Sequence, residues 1–396
     1  MKWESALSQE AITDLALTEI IEVLRAKLPA EDVSLVYVSA SLDHDDQWPT
    51  IPVRLQAAFP HATVIGSSGG GIIGKVGANT RELEGECAVA VTIACLPDVA
   101  VGAALVREPY ETPEAWNAAL GLELADDAAL IVIPDPYSFE LDACLDRLDR
   151  CFPRARVVGG IASGGLSRGS QALFCGDEMA REGAVVAALV GDIELEPVIA
   201  QGCKPIGEPM MISSCEGNVI YSLDEKSPAD VLRDLFESLD EDDRLLFRTS
   251  LFVGLEMRDQ RQYEAGDFLI RNIIGLTDDG RELAISALAK RWQVFQFHLR
   301  DKQTSADDLR VQLERYRDRH PDEAPAGALL FSCLGRGRGL YGEAHHDTRI
   351  CREVLGEVPV GGFFCNGEIG PVGDQTFTHG YTSVFGFFRN KKRHLA

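Results

Sequence analysis

The chain has 396 residues, 45% of them hydrophobic, with 62 acidic against 38 basic side chains and a formal net charge of −24. Such length and apolar content suit two or three cores. The acidic excess argues against nucleic acid and membrane surfaces as partners, except through a local basic patch. The one candidate patch, the tail from Arg389 to His394, reads as a solvated terminus. Ten cysteines without a CxxC or a zinc-knuckle spacing argue against a secreted disulfide framework and point to the cytoplasm. No apolar leader and no membrane-length apolar run is present.

In chain order, apolar residues at Ile12, Leu15, Ile20, Val23 and Leu28 recur at helical spacing, and Pro29 stops the predicted helix. VSLVYVSA (Val33 to Ala40) predicts a buried strand, Pro52 to Phe59 a helix, and Thr63 to Gly66 a second strand. After the glycine turn Gly69 to Gly74 the pattern becomes β-rich, notably from Glu86 to Leu96. The scheme then restarts with a helix at Ala115 to Leu124, a strand ending at Asp135, a helix at Phe139 to Arg150, and the strand RVVGG followed by β segments to Leu189.

The restart is an internal repeat: Phe59-Pro60, Ala62 and Val64-Ile65-Gly66 match Phe152-Pro153, Ala155 and Val157-Val158-Gly159. Counting eleven positions from Pro60, Pro153 and Pro359 reaches Gly71, Gly164 and Gly370, which predicts a third, diverged copy. In that register Cys365, Asn366 and Glu368 replace Gly66, Ser67 and Gly69. The intervening segment is β-rich to Tyr221, then Ser227-Pro228 opens a helix as N-cap and first-turn proline. A domain boundary is therefore expected between residues 223 and 224, giving domains 1–223 and 224–396. Leu245 to Leu255, Gly266 to Leu276 and Arg291 to Leu299 predict strands, and Ser305 with Asp308 predicts the cap of a helix ending near His320. The fold class expected is α+β: repeated β-α-β units extended by antiparallel strands, in mixed sheets flanked by helices, in two domains.

The stretch from Gly327 to Pro371 reads as strand, turn, helix, strand and polar turn, and both turns follow strand ends, where α/β proteins build ligand sites. The residues expected to bind a ligand are Cys333, Arg336, Gly337, Arg338, Cys365, Asn366, Gly367 and Glu368. Arginines among glycines offer guanidinium and backbone N–H groups to an anion, and Glu368 offers a carboxylate to an amine or to backbone donors. Two glycine motifs fail. Gly69 to Lys75 has Val76 where a phosphate loop needs Ser or Thr, and Gly337-x-Gly339-x-x-Gly342 precedes a helix expected only near Asp347, which is its expected N-cap. Adjacent His345 and His346 do not make a metal site, and no metal, cofactor or catalytic group is expected. Cys333 or Cys365 as a nucleophile, with His345 or His379 as base, has no supporting signature against the ordinary reading of a buried thiol.

CLGRG at Cys333 to Gly337 and GFFCNGEIGP ending at Pro371 resemble the C-terminal FIST domain, and the FPxAxVVG copies resemble the N-terminal FIST domain. FHLRD at Phe297 to Asp301 and the SPADVL helix are similar to that family too. The resemblance, over roughly Val33 to Phe388, implies a sensory module for small ligands such as amino acids. Such modules occur in bacterial signal-transduction proteins and in F-box ubiquitin-ligase adaptors. The implied function is a cytoplasmic small-ligand sensor signalling through a partner protein. The alternatives are an interaction adaptor without a small ligand and a cysteine-dependent hydrolase or transferase.

Overall fold

The computed structural model describes residues 1–257, 263, 266–321 and 323–391. Contacts divide the chain into two compact units, Met1–Ile199 with Arg310–Ala396, and Ala200–Leu309.

The first unit is built from three copies of one scheme. Copy one runs β1 (Lys2–Ser8), α1 (Thr13–Arg25), β2 (Leu35–Ala40), α2 (Thr50–Ala58), β3 (Thr63–Ser68), the hairpin β4 (Gly71–Val76) and β5 (Asn79–Glu84), and β6 (Val89–Cys95). Copy two repeats this order as β7 (Val99–Val106), α3 (Pro113–Leu120), β8 (Ala129–Pro134), α4 (Leu141–Cys151), β9 (Arg156–Gly160), the hairpin β10 (Leu173–Cys175) and β11 (Glu178–Ala180), and β12 (Ala184–Gly191). Copy three opens with β13 (Glu194–Ala200) and is interrupted by the second unit. That unit comprises β14 (Lys204–Glu216), β15 (Val219–Leu223), α5 (Pro228–Ser238), α6 (Glu241–Thr249), β16 (Leu251–Glu256), β17 (Phe268–Leu276), β18 (Leu283–Ile285) and β19 (Val294–Leu299). Copy three resumes with α7 (Lys302–Arg319), β20 (Gly327–Cys333), α8 (Gly337–Tyr341), α9 (His346–Leu355), β21 (Val360–Cys365), the hairpin β22 (Glu368–Val372) and β23 (Gln375–His379), and β24 (Ser383–Arg389).

Each copy forms a four-stranded core, β1-β6-β2-β3, β7-β12-β8-β9 or β13-β24-β20-β21, and the hairpin of another copy extends it to six strands. Copy two lends β10 to β3, copy three lends β22 to β9, and copy one lends β4 to β21. The loans close a ring of three. The third copy therefore completes its sheet with strands from the first, and the contacts group residues 310–396 with residues 1–199 rather than following the expected division at 223/224.

The parallel pairs fix the register of the copies: Val38 lies opposite Gly66, Val132 opposite Gly159 and Leu330 opposite Gly362. A Cβ at Gly66, Gly159 or Gly362 would stand 1.8, 1.9 or 1.9 Å from that partner's carbonyl oxygen, so the chain approach admits only glycine. Gly362, not Cys365, is thus the counterpart of Gly66, which shifts the expected third copy by three positions. The cause is local. Pro60 and Pro153 follow their helices closely, whereas α9 ends before Gly356 and Pro359 already adjoins β21. In the observed register 93 positions separate Gly66 from Gly159, and 203 separate Gly159 from Gly362. Removing the 110 residues of Ala200–Leu309 from the second interval leaves 93 again, so the second unit is an insertion into copy three.

Both faces of these sheets are covered, which is why their central strands read as continuous apolar runs. Leu35, Tyr37, Ile131, Ile133, Leu329 and Phe331 face one common core. The alternate residues Val36 and Val38 pack with Leu17, Ile20 and Leu55 of α1 and α2, and Leu130 and Val132 pack with Trp116, Leu145 and Leu148 of α3 and α4. Each side chain of this size contributes about 1.5–3 kcal/mol when buried. The fold is α+β, with repeated β-α-β units extended by antiparallel strands and mixed sheets flanked by helices.

The second unit is a closed barrel in the order β14-β15-β18-β17-β16-β19. Ser227 caps α5 as expected, its Oγ accepting from Asp230 N at 3.2 Å. Three expectations change. Residues 245–249 lie in α6 rather than a strand, because Asp240 caps that helix by accepting from Asp243 N at 2.8 Å. The helix expected from Ser305 begins at Lys302, with Asp301 accepting from Gln303 N and Thr304 N at 2.7 and 2.9 Å. In the tail, Arg389 is buried and paired with Glu194 and Glu196 rather than solvated, while residues 392–394 lie outside the described residues.

Candidate functional site

Cys333 and Cys365 end the parallel strands β20 and β21 side by side in register. The arginine turn that follows Cys333 does not open to solvent at Arg336. That guanidinium is fully buried, donating from Nε to Asp347 Oδ2 at 2.9 Å, from Nη2 to Asp347 Oδ1 at 3.1 Å, and from Nη1 to the Tyr381 carbonyl at 3.5 Å. Arg336 Cζ lies over Tyr341, 5.5 Å from the tyrosine ring centroid, and Tyr341 stacks on His346. Asp347 also accepts from Ser332 Oγ at 3.2 Å and lies 3.0 Å from His346 Nδ1. Burial opposes the charge on Asp347, but Arg336 beside it holds its carboxyl well below the usual range. Asp347 is thus an ion-pair partner rather than the expected N-cap, a position taken by His345 at φ 62°.

Glu368 is buried at the start of β22. Its Oε2 accepts from Thr382 N at 3.0 Å, and its Oε1 lies 3.3 Å from Cys365 Sγ. Burial, and then the charge of Glu368, push the Cys365 thiol well above its usual value. Tyr381 and Thr382 are consecutive, so one stretch of backbone meets both Arg336 and Glu368. Of the residues expected at the site, the structure brings Cys333, Cys365, Glu368 and Arg336 into this inner cluster. The others engage neighbouring copies. Gly337 adopts φ +57° against Glu84, Arg338 donates through N to Glu84 and through Nη2 to Glu86, Asn366 Nδ2 donates to Ala162 O at 3.1 Å, and Gly367 O accepts from Ile161 N at 2.9 Å.

The open space lies beside this cluster. A cleft of about 350 Å³ runs between the end of the copy-one hairpin and α9, lined by Arg81, His345, Arg349 and Arg352 together with Glu343 and Glu357. Arg349 is paired with Glu343 and Glu353, and Arg352 Nη1 donates to Asn79 Oδ1 at 2.5 Å. His345 is the unusual member. Its Nδ1 accepts from Glu82 N at 2.9 Å, and its Nε2 lies 3.0 Å from Arg81 Nη1. A neutral imidazole has one N–H, and an arginine only donates. With Nδ1 accepting, the proton sits on Nε2 and confronts another donor. Burial and the Arg81 charge push His345 down, which keeps it neutral and keeps this opposition in place.

Glu82 links cleft and cluster. Its Oε1 accepts from Thr348 N at 2.6 Å in the first turn of α9, while its Oε2 is buried without a hydrogen-bond partner among the described residues. Burial, then the nearby Asp347 carboxylate, raises its carboxyl to about 8. Sequence reasoning missed Glu82 and Arg81, which stand on β5, because the hairpin loan that carries them to α9 spans more than 260 positions. It missed Arg349 and Arg352 as well, although their i,i+3 spacing on one helix face was a signal that could have found them.

A family model of the FIST N domain matches residues 32–226, and a model of the FIST C domain matches residues 228–371. An uncharacterized protein of Mycobacterium tuberculosis is 32% identical over 382 residues, 94% of this chain and 96% of the relative. One from Mycobacterium bovis is 33% identical over 382 residues, 94% and 95% of the two chains. An F-box/LRR-repeat protein of Arabidopsis thaliana is 26% identical over 199 residues, 43% of this chain and 37% of that protein. Among solved structures, a cyanuric acid hydrolase from A. caulinodans superposes with a TM-score of 0.35 at 9% identity, covering 98% of this chain and 99% of the other, a likeness that fixes neither fold nor chemistry. No helix among the described residues is long and apolar enough to cross a membrane.

Proposed function

The chain belongs to the FIST family, whose domains are associated with sensing in signal transduction, and from that premise we propose a cytoplasmic sensor for a small carboxylate ligand of the amino-acid class. The observation that carries the reading is the pair of donors facing each other at Arg81 and His345. A carboxylate oxygen placed there accepts from both and replaces a repulsive contact with two hydrogen bonds, at least one of them charge-assisted. Glu343 and Glu357 on the same cleft suit the ammonium end of a zwitterion. In this reading Arg336 and Glu368 do not touch the ligand. They form the inner end of a chain of contacts from His345 through Glu82, Thr348, Asp347 and Tyr381 to the strand ends.

The report goes to a partner protein. At the strand ends the exposed Leu42 and Leu334 flank the closely approaching Gly70 and Gly164, and Leu166 two residues on is 93% exposed, which favours a protein contact there. The same apolar rim supports the second reading, an adaptor without a small ligand.

Thermal-shift screening of amino acids and simple carboxylates tests the sensor. A ligand at a hundred times its Kd stabilises by about 2.7 kcal/mol, and Arg81→Ala is expected to abolish the shift. A screen without any saturable shift in the wild type sinks the sensor and leaves the adaptor. A hit untouched by Arg81→Ala places the ligand elsewhere.

A further inference from the structure

A second cleft, of about 840 Å³, opens at the amino-terminal ends of β8 and β9 where copies two and three meet. It lies at the other end of the strands from Cys333 and Cys365, and the contact chain described above does not enter it. Five basic side chains line it, Arg154, Arg156, Arg319, Arg389 and Lys391, against the acidic Asp127, Glu194 and Glu196. Such a concentration of positive charge is unexpected in a chain of net charge −24.

Four of the five are already paired. Lys391 meets Asp127 at 2.8 Å, Arg319 meets Glu196 at 2.6 Å, Arg389 meets Glu194 at 2.7 Å, and Arg154 meets Asp126 at 3.1 Å. Arg156 has no carboxylate partner among the described residues, and its Nη1 donates to Gly373 O at 3.3 Å. Beside it in the lining, the Arg389 side chain is only 6% exposed, and its Nε is buried without a hydrogen-bond partner among the described residues. An uncompensated cation therefore lines the cleft next to an arginine that keeps an orphaned buried N–H, a donor of a kind ordinarily satisfied.

The repeat shows that the fold does not require these arginines. Arg156 stands three positions before the register glycine, where copies one and three carry Thr63 and Pro359. Arg154 corresponds to His61 and Glu357. The basic pair is thus particular to copy two, while the scaffold around it is common to all three.

We infer that this cleft binds a phosphorylated small molecule, its phosphate held by Arg156 at the arginine-lined wall of the cleft. Guanidinium groups match phosphate oxygens in paired hydrogen bonds. The volume lies in the range of metabolite pockets. Leu195, Pro197 and Pro371 give the rest of the ligand an apolar wall. The site is independent of the carboxylate cleft and stands whether or not that reading holds.

Isothermal titration of the full chain with inorganic pyrophosphate, at constant ionic strength, decides the matter. Saturable binding is expected in the wild type and in Arg352→Ala, which alters only the other cleft. In Arg156→Thr, the residue copy one carries at this position, the affinity is expected to fall by about tenfold or more, as loss of a charged hydrogen bond implies. Arg156→Gln, which keeps a polar hydrogen-bonding side chain without the charge, is expected to fall likewise and serves if the threonine variant does not fold. No saturable heat in the wild type, or binding lost in Arg352→Ala and kept in both Arg156 variants, overturns the inference.

Discussion

Glu82 of copy one and Asp347 of copy three are buried carboxyl groups at the same turn of α9, and only Asp347 has a countercharge. Arg336 pairs with Asp347, while Glu82 accepts from a backbone N–H and faces no positive side chain in the pairs found among the described residues. The two acids therefore separate in strength: Asp347 stays ionised and Glu82 holds its proton to about pH 8.

A pH dependence of stability follows from this division. Unfolded, Glu82 titrates as an ordinary glutamate, so between about pH 5 and about pH 8 the native state retains a proton that the unfolded state has lost. The contribution of this group to stability is full below that window and declines as pH rises through it. Glu82→Gln keeps the acceptor for Thr348 N and removes the titration. Urea midpoints measured across the window should fall less steeply with pH in the variant than in the wild type, and identical slopes would refute the assignment.

The three register glycines should be equally intolerant of a methyl group. Gly66→Ala, Gly159→Ala and Gly362→Ala each drive a Cβ into the carbonyl of a neighbouring strand, so relief requires the parallel pair to part. Each variant is expected to lose more than about 4 kcal/mol, the range of exceptional single substitutions, and to appear in the insoluble fraction on expression. Cys365→Ala, at the position a proline-based count equates with Gly66, should stay soluble. A folded Gly362→Ala variant would show that the register assigned to copy three is wrong.

The thiol at Cys365 should be unreactive in the native protein. It is buried beside Glu368 and pushed well above its ordinary value, whereas a nucleophilic cysteine needs access and a stabilised thiolate. Iodoacetamide at neutral pH, followed by peptide mass mapping, is expected to label Cys365 only after denaturation. Rapid native labelling at this position would revive the thiol-enzyme alternative.

Much of the architecture was legible because it rests on local patterns. The helix–proline–strand–glycine sequence betrayed copies one and two, and the buried strands showed as apolar runs because both of their faces are covered. The edge strand β1 was not legible, since KWESALS has mixed polarity and its partner β6 lies some ninety residues on. The site was legible only in part. Arg336 and Glu368 were found, but a sequence does not show that Asp347 and Thr382 will turn them inward. The residues of the cleft come together only through a strand loan between the first copy and the third.

That ring of loans has a consequence for synthesis on the ribosome. When β12 has emerged, copy one can already borrow β10 and β11, but its own hairpin has no sheet to join until β21 is made, and β9 keeps a bare edge until β22 follows. The inserted barrel delays both events by 110 residues of translation. Unpaired edges invite association with other nascent chains. The growing polypeptide thus passes through a long interval with strand edges exposed, and a message cut short before residue 368 yields a product whose hydrogen-bonding edges never close.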